Sequence, residues 1–184
     1  MKKLLLLVSI VVITPIVSGC YGIIHDQLSY TISHEYFTKF KFFQFGFVDE
    51  GIEAHLPNSR LWVAAVGFLA TWWVGLILGV VHGIVGLIQK NYNLMLIAVT
   101  QAVAINLIAA FLLGLIGLAY GWFYLSVTGV TWYLPETLID TRSFIAVGSM
   151  HNFGYIGGLV GLILGMLYQI AVRIRQSTYN KPNI

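Results

Sequence analysis

Four side chains spread along this chain have the chemistry to hold one metal ion: His25, Asp26, Glu35 and His151. Imidazole nitrogen combined with carboxylate oxygen is the donor set of zinc, copper and non-haem iron sites. His25 and Asp26 follow directly on the first hydrophobic segment. Glu35 comes shortly after, and His151 lies about two helical turns inside the last hydrophobic segment. Asp26 can serve as a ligand itself or orient a ligand histidine through a hydrogen bond. The pattern is loose. No two histidines are spaced i, i+4, and HExxH is absent, so the bland alternative is a set of polar groups that face water. His34, Glu53, His55, Glu136 and Asp140 belong to the same face of the protein and extend the list of groups that could converge. A haem held by two histidines needs both at one membrane depth. His82 and His151 lie toward opposite faces, and His25 with His151 would set the haem at the outer surface.

The elements that must carry these groups are membrane helices. The chain has 184 residues, 58% apolar and 9% charged, with a mean hydropathy of +0.84. Soluble domains carry about 25% charged residues, so the solvent here is a lipid bilayer. Crossing ~30 Å of hydrocarbon takes about 20 apolar residues. Four segments qualify, at about 4–24, 61–88, 94–122 and 144–172, and none contains Asp, Glu, Lys or Arg. Spans of this kind must be helical, because an open strand would leave backbone groups unpaired in lipid. The expected fold is an all-α membrane protein. It is a single domain over 1–184, a four-transmembrane-helix bundle with an aromatic-rich interfacial segment in an outer loop at 25–60 and a second outer loop at 123–143. The net charge of +3 and the lack of a basic run argue against nucleic acid as a partner. A lone Cys20 excludes an internal disulfide.

Basic residues set the orientation. Lys2, Lys3, Lys90, Arg173, Arg175 and Lys181 fall on one side, while all seven acids fall on the other with Lys39, Lys41, Arg60 and Arg142. Both termini are therefore expected in the cytoplasm, and the His/carboxylate groups on the outer face. The first segment also reads as a signal peptide, with Val17–Cys20 (VSGC) fitting a lipoprotein cleavage box. An uncleaved helix is preferred, because the apolar run continues past the usual ~7–15 residues.

In lipid, helices associate through close backbone approach, so small residues mark the interfaces. Gly75, Gly79 and Gly83 form one stripe, and Gly157, Gly161 and Gly165 another, with Gly154 and Gly158 beside it. Ala110, Gly114, Gly117 and Gly121 form a third. The string GLILG occurs at 75–79 and again at 161–165, which fits either a duplicated hairpin or coincidence in a Gly/Leu/Ile-rich chain. Gln101, Asn106 and His82 are expected to act as hydrogen-bond staples between helices, while His151 is open to either a staple or a functional role.

The segment Tyr21–Phe45 is unusual in concentrating histidines, acids, lysines and aromatics. Ser33 is placed to cap a short helix from His34, with Glu35 in its first turn, where the helix dipole favours a carboxylate. The continuation to Phe47 reads as an interfacial amphipathic helix with rings at the headgroups and Lys39 and Lys41 reaching outward.

The strings HDQLSYTIS, EYFTKFKFFQFG, ATWWVGLILG and MHNFGYIGG resemble the signature of a family of small bacterial multi-pass inner-membrane proteins that has no assigned activity. The resemblance spans most of the chain. It implies one shared element containing His25, Asp26, Gln27, Tyr30, Thr31, Ser33, Glu35, Tyr36, Lys39 and Lys41. It also singles out Trp72, Trp73, His151 and Asn152. Many members have proline at the position of His34, which weakens His34 as a ligand, since proline suits the first turn of a helix equally well. The resemblance implies the fold and the bacterial inner membrane, and no reaction. No phosphate-binding loop, dinucleotide fingerprint or nucleophile elbow is present. Two functions follow as expectations. The first is a non-enzymatic structural or accessory membrane protein, acting as a homo-oligomer or within a membrane complex. The second is a metal-binding or redox protein using copper, zinc or iron at the outer face.

Overall fold

The computed structural model describes residues 1–178 and contains four helices long and apolar enough to cross a membrane. No strand occurs among the described residues. Helix α1 is Lys2–Ile32, α2 is Ser59–Gly86, α3 is Tyr92–Tyr120 and α4 is Thr141–Thr178. The protein is an all-α, multi-pass membrane bundle. Lys181, counted above with the basic residues on the side expected to be cytoplasmic, lies outside the described residues.

The termini of the helices follow from local chemistry. Asn91 caps α3 by accepting a hydrogen bond from the Leu94 amide at 3.0 Å. Asp140 plays the same part for α4, accepting from the Ser143 amide at 3.0 Å. Asn58 enters α2 in the left-handed region at φ 53°, which asparagine tolerates better than most residues. Two boundaries differ from expectation in a way that matters. Helix α1 runs on through Ile32 instead of ending near Ile24, so His25 and Asp26 sit on a helix rather than in a loop. Helix α3 continues past Tyr120 through a π-turn over Gly121–Leu125 and a last turn, Ser126–Thr128.

Helices associate as two tight pairs, α1 with α2 and α3 with α4, and the two pairs touch each other sparingly. Small residues explain the pairing. A Cβ on Gly75 would meet the Ser18 side chain at 2.6 Å, and one on Gly161 would meet the Asn106 backbone at 2.6 Å. The two GLILG strings thus do the same job, one receiving α1 and the other α3. Polar bonds fasten the same seams. Ser18 Oγ donates to the Thr71 carbonyl at 2.9 Å, and Thr71 Oγ1 donates to the Ser18 carbonyl at 2.8 Å. Asn106 Nδ2 donates to the Gly158 carbonyl at 2.9 Å, and the Tyr168 hydroxyl donates to Gln101 Oε1. Asn106 and Gln101 are the staples their residue types imply.

Over the end of the bundle opposite the N-terminus lies a cap. Ser33, in extended conformation, ends α1, and its hydroxyl accepts the Tyr36 amide at 3.3 Å. The chain then turns through His34–Tyr36, a π-turn at Phe37–Lys41 and Phe42–Gln44. Part of the aromatic face of this segment packs inward. Phe37 and Phe42 are fully buried, against Tyr30, Tyr36, Val63, Val66, Phe144 and Val147. Lys39 and Lys41 point inward as well, contrary to the outward reach expected of them, and each is only 7% exposed. Burial is tolerated because each ammonium finds partners in the cap that replace water. Lys39 Nζ lies 2.5 Å from Glu35 Oε1 and 2.5 Å from the Thr137 carbonyl. Lys41 Nζ donates to Gln44 Oε1 at 2.8 Å and lies 5.3–5.8 Å from the ring centres of Tyr36, Phe40 and Phe45. Burial pushes the Lys41 ammonium below its ordinary pKa, with the Asp26 carboxylate opposing.

Glu35 joins the cap to the loop that precedes α4. Its carboxylate accepts the Ile139 amide at 2.9 Å and the Asp140 amide at 2.7 Å. Burial raises this carboxyl, but the bonds from Lys39, Asp140 and Ile139 outweigh it and hold the pKa below the usual glutamate value. A depressed carboxyl pKa means the ionised form stabilises the fold. That contribution is complete above the unfolded value of about 4.3 and disappears as pH falls through the lower folded value. Glu35→Gln is expected to cost about 2 kcal/mol at neutral pH, as hydrogen bonds to a charged group do. The deficit relative to wild type should shrink toward pH 3, measured by thermal unfolding in detergent. A deficit constant with pH would show that the carboxylate charge contributes nothing.

Candidate metal centre

His25 and Asp26 lie on α1 and His151 on α4, and the two helices bring the three side chains into one cluster. A donor atom from each falls within 4.8 Å of the other two. Asp26 Oδ1 stands 3.2 Å from His25 Nδ1 and 3.1 Å from His151 Nε2. The two imidazoles meet edge to face, with centroids 4.8 Å apart. Such contact leaves no gap between the rings for a porphyrin, so the paired-histidine haem arrangement does not fit. His25 and Asp26 are buried, at 7% and 4% exposure, and His151 is nearly so.

His151 carries the sharpest constraint. Its Nδ1 lies 2.9 Å from the Val147 carbonyl. A carbonyl oxygen only accepts, so Nδ1 bears the proton. In the neutral ring Nε2 is then a bare lone pair, aimed at a carboxylate oxygen 3.1 Å away. Two acceptors at that distance repel unless a cation lies between them, either a proton that makes the ring an imidazolium or a metal ion. Metal-binding histidines usually anchor their second nitrogen on a carbonyl or carboxylate, as Val147 does here.

Aromatic groups enclose the cluster. Tyr36 from the cap stacks on His151 with centroids 4.9 Å apart. Burial, reinforced by the nearby Asp26 carboxylate, raises the Tyr36 phenol far above its ordinary pKa, so it stays neutral. Tyr21 lies 5.9 Å from His25 on the other side, and its buried hydroxyl has no hydrogen-bond partner. Below the cluster, a cleft of about 260 Å³ descends between the two helix pairs to Asn106 and Leu162.

Of the residues singled out from sequence, His25, Asp26 and His151 come together. Glu35 does not join them: its oxygens are committed to Lys39 and the loop amides. His34 packs against Tyr30, with ring centres 4.5 Å apart. His82 is fully buried near the opposite end, where its Nδ1 lies 3.0 Å from Gln169 Nε2. Glu53 accepts from Thr38 at 3.0 Å. Sequence reasoning missed Tyr21 and Tyr36 as walls of the site. In sequence Tyr21 reads as part of the apolar run of the first helix and Tyr36 as part of an interfacial aromatic face, and only their contact with the imidazoles distinguishes them. Compared with known protein families, curated proteins and solved structures, the chain matches none.

Proposed function

We propose that this is a bacterial inner-membrane protein, with both termini in the cytoplasm, that binds a zinc, copper or iron ion at its outer end through His25, Asp26 and His151. One observation carries the reading: donor atoms of His25, Asp26 and His151 converge within 4.8 Å of one another in a buried site, with His151 Nε2 facing the Asp26 carboxylate at 3.1 Å, where a metal ion can take the place of a proton. Tetrahedral coordination with bonds of about 2.0–2.2 Å needs donor–donor edges of about 3.4 Å. Two edges measure 3.1 and 3.2 Å, and the third, within 4.8 Å, closes by rotation of an imidazole. Three protein donors leave a coordination position open, as in sites where a metal meets a substrate rather than only holding a fold. The convergence of the three favours this reading over a purely structural or accessory role. Orientation is supported by the inner-end basic residues. Lys3 Nζ, for example, binds the Leu87 and Gln89 carbonyls at 2.7 and 2.9 Å, just beyond the C-terminus of α2.

Elemental analysis of the purified protein tests the proposal. Wild type is expected to carry a stoichiometric transition metal that disappears in His25→Ala and in His151→Ala, and is retained in His34→Ala and His55→Ala. A wild-type protein without stoichiometric metal after growth and reloading in zinc, copper and iron would leave the accessory role as the better reading.

A further inference from the structure

We propose that the cleft beneath the cluster is a lateral binding site for a membrane-dissolved quinone, with its ring against Tyr21 and the two imidazoles and its isoprenoid tail leading out between α2 and α4. This inference stands apart from the metal, because it rests on the cleft and not on what lies between Asp26 and His151.

The cleft begins at His25, Asp26 and His151 and runs toward the middle of the bundle. Its mouth is open on the α4 side. A Cβ built on Gly154 or on Gly158 meets nothing within 4 Å, although both glycines flank a stripe that elsewhere packs tightly. The residues flanking the mouth are apolar and half exposed, Trp73, Ile77, Tyr155 and Leu159 among them. These surfaces face lipid, so whatever enters comes from the bilayer.

Chemistry at the closed end selects the head group. Among the described residues lining the cleft there is no lysine or arginine, and the single carboxylate is already shared between two histidines. A phosphate head would find no lysine or arginine along the cleft, only a cation already shared with Asp26. A neutral head with hydrogen-bonding oxygens finds partners instead. The Tyr21 hydroxyl is a buried donor with no acceptor, a deficit that costs free energy until something supplies one. A quinone carbonyl supplies it. Flat aromatic walls from Tyr21, Tyr155 and Trp73 suit a planar ring. The volume, about 260 Å³, falls just below the roughly 300–1,000 Å³ of small-molecule sites. It holds one ring and the start of a chain, not two acyl chains.

The test uses the full chain, stripped of metal by a chelator and reconstituted in nanodiscs, so that it succeeds or fails independently of the metal proposal. Decyl-benzoquinone is titrated while tryptophan emission is followed. Quinone dissolved in lipid quenches linearly, whereas a site adds a saturable phase. That phase is expected in wild type. It should weaken about tenfold or more in Tyr21→Phe, which removes one buried hydrogen bond. In Gly154→Leu, whose Cβ meets nothing within 4 Å and whose side chain fills the mouth, it should vanish while the circular dichroism and melting temperature stay at wild-type values. Purely linear quenching in wild type would overturn the proposal. So would a saturable phase left unchanged by both variants, or equal displacement of the probe by decanol or a single-chain phosphocholine, since either competitor would reveal an unselective lipid crevice.

Discussion

In Asp26→Asn protein, the melting temperature is expected to be the same in metal-replete and in chelated buffer, whereas wild type melts higher with metal. A ligand present at a hundredfold excess over its Kd stabilises the folded state by about 2.7 kcal/mol. For a chain of this size that corresponds to a gap of about 5–11 °C. The substitution keeps the shape of the side chain and one acceptor oxygen, but it removes the only carboxylate of the cluster. An amide oxygen is a poor ligand for a transition ion beside two imidazoles. Comparing the two buffers matters more than either temperature alone. Asp26 is 4% exposed and bonded to both rings, so a purely structural Asp26 would also lower stability when replaced. It would lower it equally in both buffers, leaving the gap untouched. A gap of wild-type size in Asp26→Asn therefore defeats the metal assignment, even if the variant is destabilised.

The sequence made some of this legible and hid the rest for physical reasons. The spans were plain because hydrocarbon tolerates so few alternatives: long uncharged apolar runs must become helices. The partners of those helices were marked by glycine and alanine spacing, since close approach is what holds helices together in lipid. The stripe was less uniform than it looked, however. Gly157, Gly161 and Gly165 pack on α3, while Gly154 and Gly158 border open space. Small residues at i, i+3 and i+4 look alike on paper whether they admit a helix or a ligand. The cluster was half visible. His25 and His151 could be put at the same end, but their depth depended on α1 continuing about two turns beyond Ile24. Those turns carry Gln27, Ser29 and Thr31, whose polarity reads as the start of a loop. Their side chains are instead satisfied by nearby carbonyls, as when Thr31 Oγ1 donates to Gln27 O at 2.9 Å. Glu35 misled for a related reason. A carboxylate near histidines looks like a ligand, and the Ile139 and Asp140 amides that claim it lie far along the chain, beyond the reach of any local pattern.

A second large effect is expected from Gly67→Leu, which should lower stability by about 3 kcal/mol or more, at or above the upper end of core overpacking. Gly67 on α2 crosses Gly22 on α1 with nothing but backbone between them. A Cβ on Gly67 would meet the Gly22 carbonyl carbon at 2.6 Å and the Ile23 nitrogen at 2.9 Å. Neither atom belongs to a side chain that can swing away, so the helices must separate. Separation would stretch the Ser18–Thr71 pair of hydrogen bonds, now at 2.9 and 2.8 Å, on the same seam. It would also carry His25 and Asp26, the next turn of α1, away from His151. Thermal unfolding in detergent should therefore show a fall of about 6–12 °C, and metal content should fall with it. Gly154→Leu supplies the contrast. It adds the same side chain to another helical glycine of this bundle, but its Cβ meets only open space, so its stability should stay within about 0.5 kcal/mol of wild type. If the two leucine variants melt together, close backbone contact between α1 and α2 is not what holds the first pair, and the placement of His25 and Asp26 loses its structural support.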